Sequence, residues 1–202
     1  MRTSNQTHGA MCVTRIAGVL NLLAFVLLLG TAMPTAATDK GQDTYDQDSV
    51  LKAAADFFGD TTEGLAKVIE KAFQDQGRPN GYIRGEELSG AIGVGLRYGD
   101  GTLTLKNGAS KKVFWQGPSI GFDFGGNASK VFVLVYHLPG TDEVFQRFPG
   151  VDGSLYYIGG AGINYQRSGK IVLAPIRLGV GLRAGASIGY MHYTREKSLI
   201  PL

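Results

Sequence analysis

Apolar residues return at the three- and four-residue spacing of a helix from Val50 to Phe58, where Val50, Leu51, Ala54, Phe57 and Phe58 share a face and Gly59 stops the run. The pattern resumes after Asp60, Thr61 and Thr62, which offer an N-cap. Leu65, Val68, Ile69, Ala72 and Phe73 then form one stripe, and Gly77 ends it. These two amphipathic segments predict a helical hairpin over 49–77, with Ser49 before its first helix. Neither stripe is buried until it docks on another surface.

Beyond Pro79-Asn80-Gly81 the period changes to two. Ile92, Val94, Leu96 and Tyr98 point one way, while Ala91, Gly93, Gly95 and Arg97 point the other. Asp100-Gly101, Asn107-Gly108 and Ser168-Gly169 read as turns, and Gly117-Pro118 and Pro175 as breaks. Val144 to Phe148 reads as a short helical turn. About eight strands joined by short connections result, with no long helix after any strand, so the pattern predicts an antiparallel meander. Between Ile176 and Ala186 one face carries Ile176, Leu178, Val180, Leu182 and Ala184, and the other Arg177, Gly179, Gly181, Arg183 and Gly185. Glycine repeated on one face indicates strong coiling or the close approach of another group. The expected fold is mainly β: a small soluble antiparallel β-barrel over 78–202, preceded by the helical hairpin, which lies across one opening or on the outer wall.

The N-terminal pattern is of a different kind. Arg2 to Arg15 is polar with basic residues and no acid, Ile16 to Gly30 is apolar except for Asn21, and the small residues of Ala32-Met33-Pro34-Thr35-Ala36-Ala37 follow. This is the layout of a secretory signal over 1–37, cleaved after Ala37, and its apolar core is shorter than the ~20 residues of a membrane-spanning helix. Residues 38–48 carry Asp39, Asp43, Asp46 and Asp48 and read as a flexible acidic leader outside the fold. The sole cysteine, Cys12, lies within the signal, so the mature chain has no thiol and forms no disulfide.

The formal net charge of +3 falls to +1 once Arg2 and Arg15 leave with the signal, which predicts no nucleic-acid partner. Glycine, at 30 of 202 residues, is about twice its usual ~7% and shows no collagen period, so the fold needs backbone free of side chains. Gly117-Pro118-Ser119-Ile120-Gly121, with Asp152 and His192 downstream, spells the nucleophile-elbow string. That chemistry needs a strand, a sharp turn and a helix, whereas Ser119 here precedes an alternating strand. The Gly179-Val180-Gly181-Leu182-Arg183-Ala184 string lies within a strand and is no dinucleotide fingerprint. His137 and His192 lack a metal-ligand spacing, so no metal is expected. Glu86 and Glu87 are neighbours on an extended chain, point apart, and read as solvated charge in a loop. Asn127-Ala128-Ser129 is a glycosylation acceptor string of use only in a eukaryotic host. Arg97, Arg177 and Arg183 alternate with glycine on two strands. Their face reads either as a solvated outer wall or as a ligand site, where bare backbone admits an anionic group and guanidinium forks bind it.

Val113-Phe114-Trp115-Gln116-Gly117-Pro118-Ser119-Ile120-Gly121-Phe122-Asp123, Gly125-Gly126-Asn127, Leu134-Val135-Tyr136 and Arg147-Phe148-Pro149-Gly150-Val151 resemble the EipA-like periplasmic envelope-integrity family of Gram-negative bacteria. Asn164-Tyr165-Gln166-Arg167, Val172-Leu173-Ala174-Pro175-Ile176-Arg177 and Gly179-Val180-Gly181-Leu182-Arg183 extend the resemblance over roughly Ser49 to Leu202. It implies a soluble periplasmic β-barrel preceded by helices and needed for resistance to envelope stress, and it carries over no catalytic residue. The expectation is a non-enzymatic protein without cofactor that binds an envelope lipid, glycan or protein and does not span the membrane after signal cleavage. An outer-membrane β-barrel is the first alternative, and an envelope hydrolase using Ser119 the second.

Overall fold

A computed structural model describes residues 43–123, 128–179 and 190–198, with backbone alone at 89–95 and 119–123. Among them, helices α1 (Gln47–Phe58) and α2 (Glu63–Gln76) precede nine strands. These are β1 (Gly81–Leu105), β2 (Ser110–Asp123), β3 (Ser129–Tyr136), β4 (Arg147–Pro149), β5 (Tyr156–Ile158), β6 (Ala161–Ile163), β7 (Gln166–Ser168), β8 (Ile171–Leu178) and β9 (Tyr190–Thr194). The signal over 1–37, the leader up to residue 42, Asn127, Arg183 and the alternation beyond Gly179 lie outside the described residues.

α1 starts earlier than the apolar stripe alone suggests. Asp46 is its N-cap, accepting the Ser49 N–H and Oγ–H, both at 2.8 Å. The end of the acidic leader therefore belongs to the fold: the Tyr45 N–H donates to the Pro79 carbonyl at 2.8 Å, and its ring lies 5.3 Å from that of Tyr82. Thr62 caps α2 through the Leu65 N–H, and Gly59 and Gly77 end the two helices at positive φ, as the sequence predicts.

All strand pairings are antiparallel, in the order β4-β9-β2-β1-β3-β8-β6-β5, with β7 also on β8. The sheet curls until its edges meet. Gly150, just after β4, bridges Gln166 of β7, and the Val151 N–H donates to the Tyr165 carbonyl at 2.9 Å. β1 doubles back within its own length, because the Lys106 N–H donates to the Asn80 carbonyl at 3.0 Å and Gly101 packs on Arg84 and Gly85. Asn80 pins this junction to the end of β3 through its own N–H to Val135 and its side-chain amide to both backbone groups of Leu138.

Several breaks expected from the sequence are absent. Asp100-Gly101 is strand, paired with Phe114 and Val113, and Gly101 serves close approach rather than a turn. Pro118 lies within β2, beyond the stretch paired with β9, so its missing N–H costs no bond on that side. Pro175 lies within β8. The gap it causes is in its neighbour: β6 and β7 keep one register along β8 and are interrupted at Asn164-Tyr165, opposite Ala174-Pro175. The helical turn expected over 144–148 is a 3₁₀ turn at Thr141–Val144, and Phe148 sits in β4.

Two cores result, one on each face of the wall. Phe132, Leu134 and Tyr136 of β3 and Val172, Ala174 and Ile176 of β8 point outward beneath Val50, Ala54, Leu65, Val68, Ile69 and Ala72 of the helices. Val131, Val133, Val135, Leu173, Ile83, Leu103, Val113, Trp115, Phe148 and Tyr193 fill the interior. The helices thus take the outer wall, which explains why β3 and β8 read as continuous apolar runs rather than alternating ones.

Candidate functional site

Alternation along the strands decides what enters the barrel. Ile83, Gly85 and Glu87 share the inward face of the first limb of β1, and Leu103, Gly101, Gly99 and Arg97 that of the second. Because Ile176 packs under the helices, Arg177 points inward, where Trp115 of β2 and Tyr193 of β9 complete the set.

These side chains meet. Arg177 grips the Glu87 carboxylate with one edge of its guanidinium, Nε to Oε1 at 2.5 Å and Nη2 to Oε2 at 3.2 Å, while its Nη1 donates to Asn164 Oδ1 at 3.3 Å. The Trp115 indole N–H donates to Glu87 Oε2 at 3.3 Å, and Arg97 Nε stands 3.5 Å from Oε1. Glu87 and Arg97 are only 5% and 7% exposed. Burial alone raises the Glu87 carboxyl; the charges of Arg177 and Arg97 and the hydrogen bonds from Arg177 and Trp115 outweigh it and hold it at about 2. Burial works to lower the Arg177 guanidinium, and Glu87 more than offsets it. Tyr193 is pushed well above its ordinary value by burial.

Glycine is what admits the indole. Gly99 is the register partner of Trp115, and a Cβ there would collide with the ring; a Cβ at Gly85 would meet the far edge of the same ring at 2.6 Å. The bare face therefore receives a group from within the chain.

Arg97 and Arg177 lie neither on a solvated outer wall nor in an open anion site: the fork of Arg177 is taken by Glu87, and Arg97 lies buried beside it, while Arg183 is outside the described residues. Glu87, read as solvated loop charge, is the residue that sequence reasoning missed. Its signal was the spacing Ile83, Gly85, Glu87, legible once the strand is taken to start at Gly81. Ser119 lies in extended strand paired with Gly95, not at a strand-to-helix elbow. Among the described residues no three metal-ligating side chains come together.

From residue 43 to 202 the sequence matches the family described as Envelope integrity protein A. The chain belongs to that family. A crystal structure of a beta-barrel-like, uncharacterized protein from Brucella abortus is similar to it at 48% identity, with a TM-score of 0.73, covering 79% of this chain and 99% of the other. A search of curated proteins finds no match to the chain. The beta-barrel-like description of that structure agrees with the curled sheet of this chain. Among the described residues no helix is long and apolar enough to cross a membrane.

Proposed function

We propose that this envelope integrity protein is exported on a cleaved signal, works in the periplasm and protects the envelope by binding one of its components without catalysing a reaction. Family membership over residues 43–202 carries the envelope role. The state of the buried cluster supports the absence of catalysis. A carboxyl held at about 2 and clamped by two guanidiniums transfers no proton near neutral pH, where a general acid or base would have to titrate. Thr102, Lys112, Arg84, Glu86 and Asp100 are polar and face outward from β1 and β2, and the helices cover β3 and β8; both favour a periplasmic site over a lipid-facing barrel.

The test is complementation of a deletion strain under detergent or osmotic stress. The full chain and its Ser119→Ala variant are expected to restore survival equally, and osmotic shock without detergent is expected to release the protein with Thr38 as its first residue. Loss of rescue by Ser119→Ala would favour the hydrolase. Retention in the membrane until detergent is added would favour the outer-membrane barrel.

A further inference from the structure

β5 is the last strand in the sheet order, paired with β6 on one side and with no other strand among the described residues. Gly159 and Gly160, both at positive φ, make the two-residue turn between them, which leaves Ile158 and Ala161 as the hydrogen-bonded pair that closes the hairpin. Bonded and non-bonded pairs alternate along an antiparallel ladder. Tyr156 and Ile158 therefore direct their N–H and C=O groups at β6, and those of Tyr157 point away from the sheet. Leu155 falls at the next position of the same alternation. Two backbone groups at each of these residues make up a free edge.

The side chains follow the same rule. Tyr156 and Ile158 pack on the core beneath the helices, whereas Tyr157 shares the face of Gly162 and Arg177. Leu155 and Tyr157 are 45% and 43% exposed, and Val151, just upstream, is 40% exposed; they are three of the five large apolar residues exposed among the described residues. Sheet edges are ordinarily blunted by lysine, proline or a bulge. From Gly153 to Gly160 the chain has neither a charge nor a proline. Lys67 and Lys71 of α2, which stand by Tyr156, are paired with Glu63 and Asp75 of their own helix.

This chemistry selects the occupant. A lipid surface would leave the free backbone groups without hydrogen bonds. A partner of different chemistry is steered and oriented by charge, and this edge has none. A second copy supplies what is missing. An antiparallel two-fold that sets Leu155 opposite Tyr157 of the second copy, and Tyr157 opposite its Leu155, joins every free group of both edges in four hydrogen bonds. The same register lays an exposed aromatic ring against an exposed leucine twice over. Asp152, the nearest charge in the chain, then comes opposite Gly160 of the second copy and meets no like charge.

We propose that β5 is a homodimer interface, through which two copies of this chain join their sheets edge to edge in that register.

Sedimentation equilibrium of the mature chain from micromolar to millimolar concentration is expected to show a mass rising from one chain to two. Hydrogen exchange at the amides of Leu155 and Tyr157 should slow by about tenfold once roughly nine chains in ten are paired, while Tyr156 and Ile158, already bonded to β6, do not change. Leu155→Lys with Tyr157→Lys sets like charges opposite each other and is expected to stay monomeric, as is Leu155→Glu with Tyr157→Glu; an equimolar mixture of the two restores the dimer. Leu155→Lys with Tyr157→Glu in one chain places opposite charges across the axis in this register alone, and dimerises by itself. These positions are exposed, so the melting curves of the variants should stay close to that of wild type. A wild-type chain that keeps the mass of one copy at every concentration overturns the assignment, as does a dimer that both like-charge variants retain. A dimer without the alternating protection at residues 155–158 has its interface elsewhere and overturns it equally. That measurement uses the wild-type chain, so it decides the matter even where a variant fails to fold.

Discussion

Removing the Glu87 carboxylate leaves the Arg177 and Arg97 guanidiniums together in the barrel interior without the charge that holds them there. Breaking a buried pair from one side costs about 3 to 5 kcal/mol, so Glu87→Ala is expected to lower unfolding free energy by about that much in a urea titration. The same group sets an acid limit. Its folded value of about 2 lies below its ordinary 4.5, so its stabilisation is fully present above 4.5 and is lost as pH falls from there towards 2. Asp75 and Asp142 are also held low, by hydrogen bonds from Lys71 and from Lys111 and Arg195, and add to the acid slope. The difference between wild type and Glu87→Gln isolates the buried group: it should shrink between about pH 6 and about pH 2.5, and a constant difference would show that Glu87 stays protonated or solvated in the folded chain. The two neighbouring glutamates were legible as pointing apart. Which of them entered the barrel depended on where β1 began, and that was fixed by Asn80 through its bonds to residues far along the chain.

The helices were the most legible elements, because a cap, a stripe and a terminal glycine are all local signals. Their anchoring is uneven. Ile69 is fully buried against the outer face of β3 and β8, whereas Phe73, on the same stripe, is only partly covered. Ile69→Ala is therefore expected to cost about 2 to 5 kcal/mol, and Phe73→Ala less than the ~3 to 5 of a fully buried phenylalanine. Denaturant unfolding of both variants checks this, and a larger loss at Phe73 would mean that α2 is seated deeper than its packing indicates. α2 also meets the β5–β6 turn at close range, where a Cβ on Gly64 would collide with the backbone of Ile158 and Gly159. The strands were less legible than the helices. Gly-Pro, Asp-Gly and a lone proline normally punctuate a chain, yet here Pro118 and Pro175 sit where a ladder bond is absent on one side, and Gly101 sits where two limbs of one strand touch.

At the scale of the whole molecule the barrel is held unevenly around its circumference. β3 and β8 pair over six residues from Val131 to Tyr136 and are buried on both faces, whereas among the described residues the backbone of the β4–β7 seam makes one bridge and the Val151–Tyr165 hydrogen bond, with Ser154 and Gln146 adding side-chain bonds to Tyr165 and Ser168. Native-state hydrogen exchange is expected to show the Val151 amide opening at a much lower free energy than the amides of β3, and equal protection would mean the seam opens only on global unfolding. The amino-acid pattern by itself determined the fold class, the two helices with their caps and the change to a period of two, because each depends on neighbours a few residues apart. It also showed glycine repeated on one face, which meant either strong coiling or the close approach of another group. Only the tertiary structure decided that Gly85 and Gly99 admit the Trp115 ring. Whether the arginine face turned to solvent or to the interior depended on which face of β8 the helices covered, and once they took the side of Ile176, Arg177 had to point inward, where a charge is tolerated only beside a carboxylate such as Glu87.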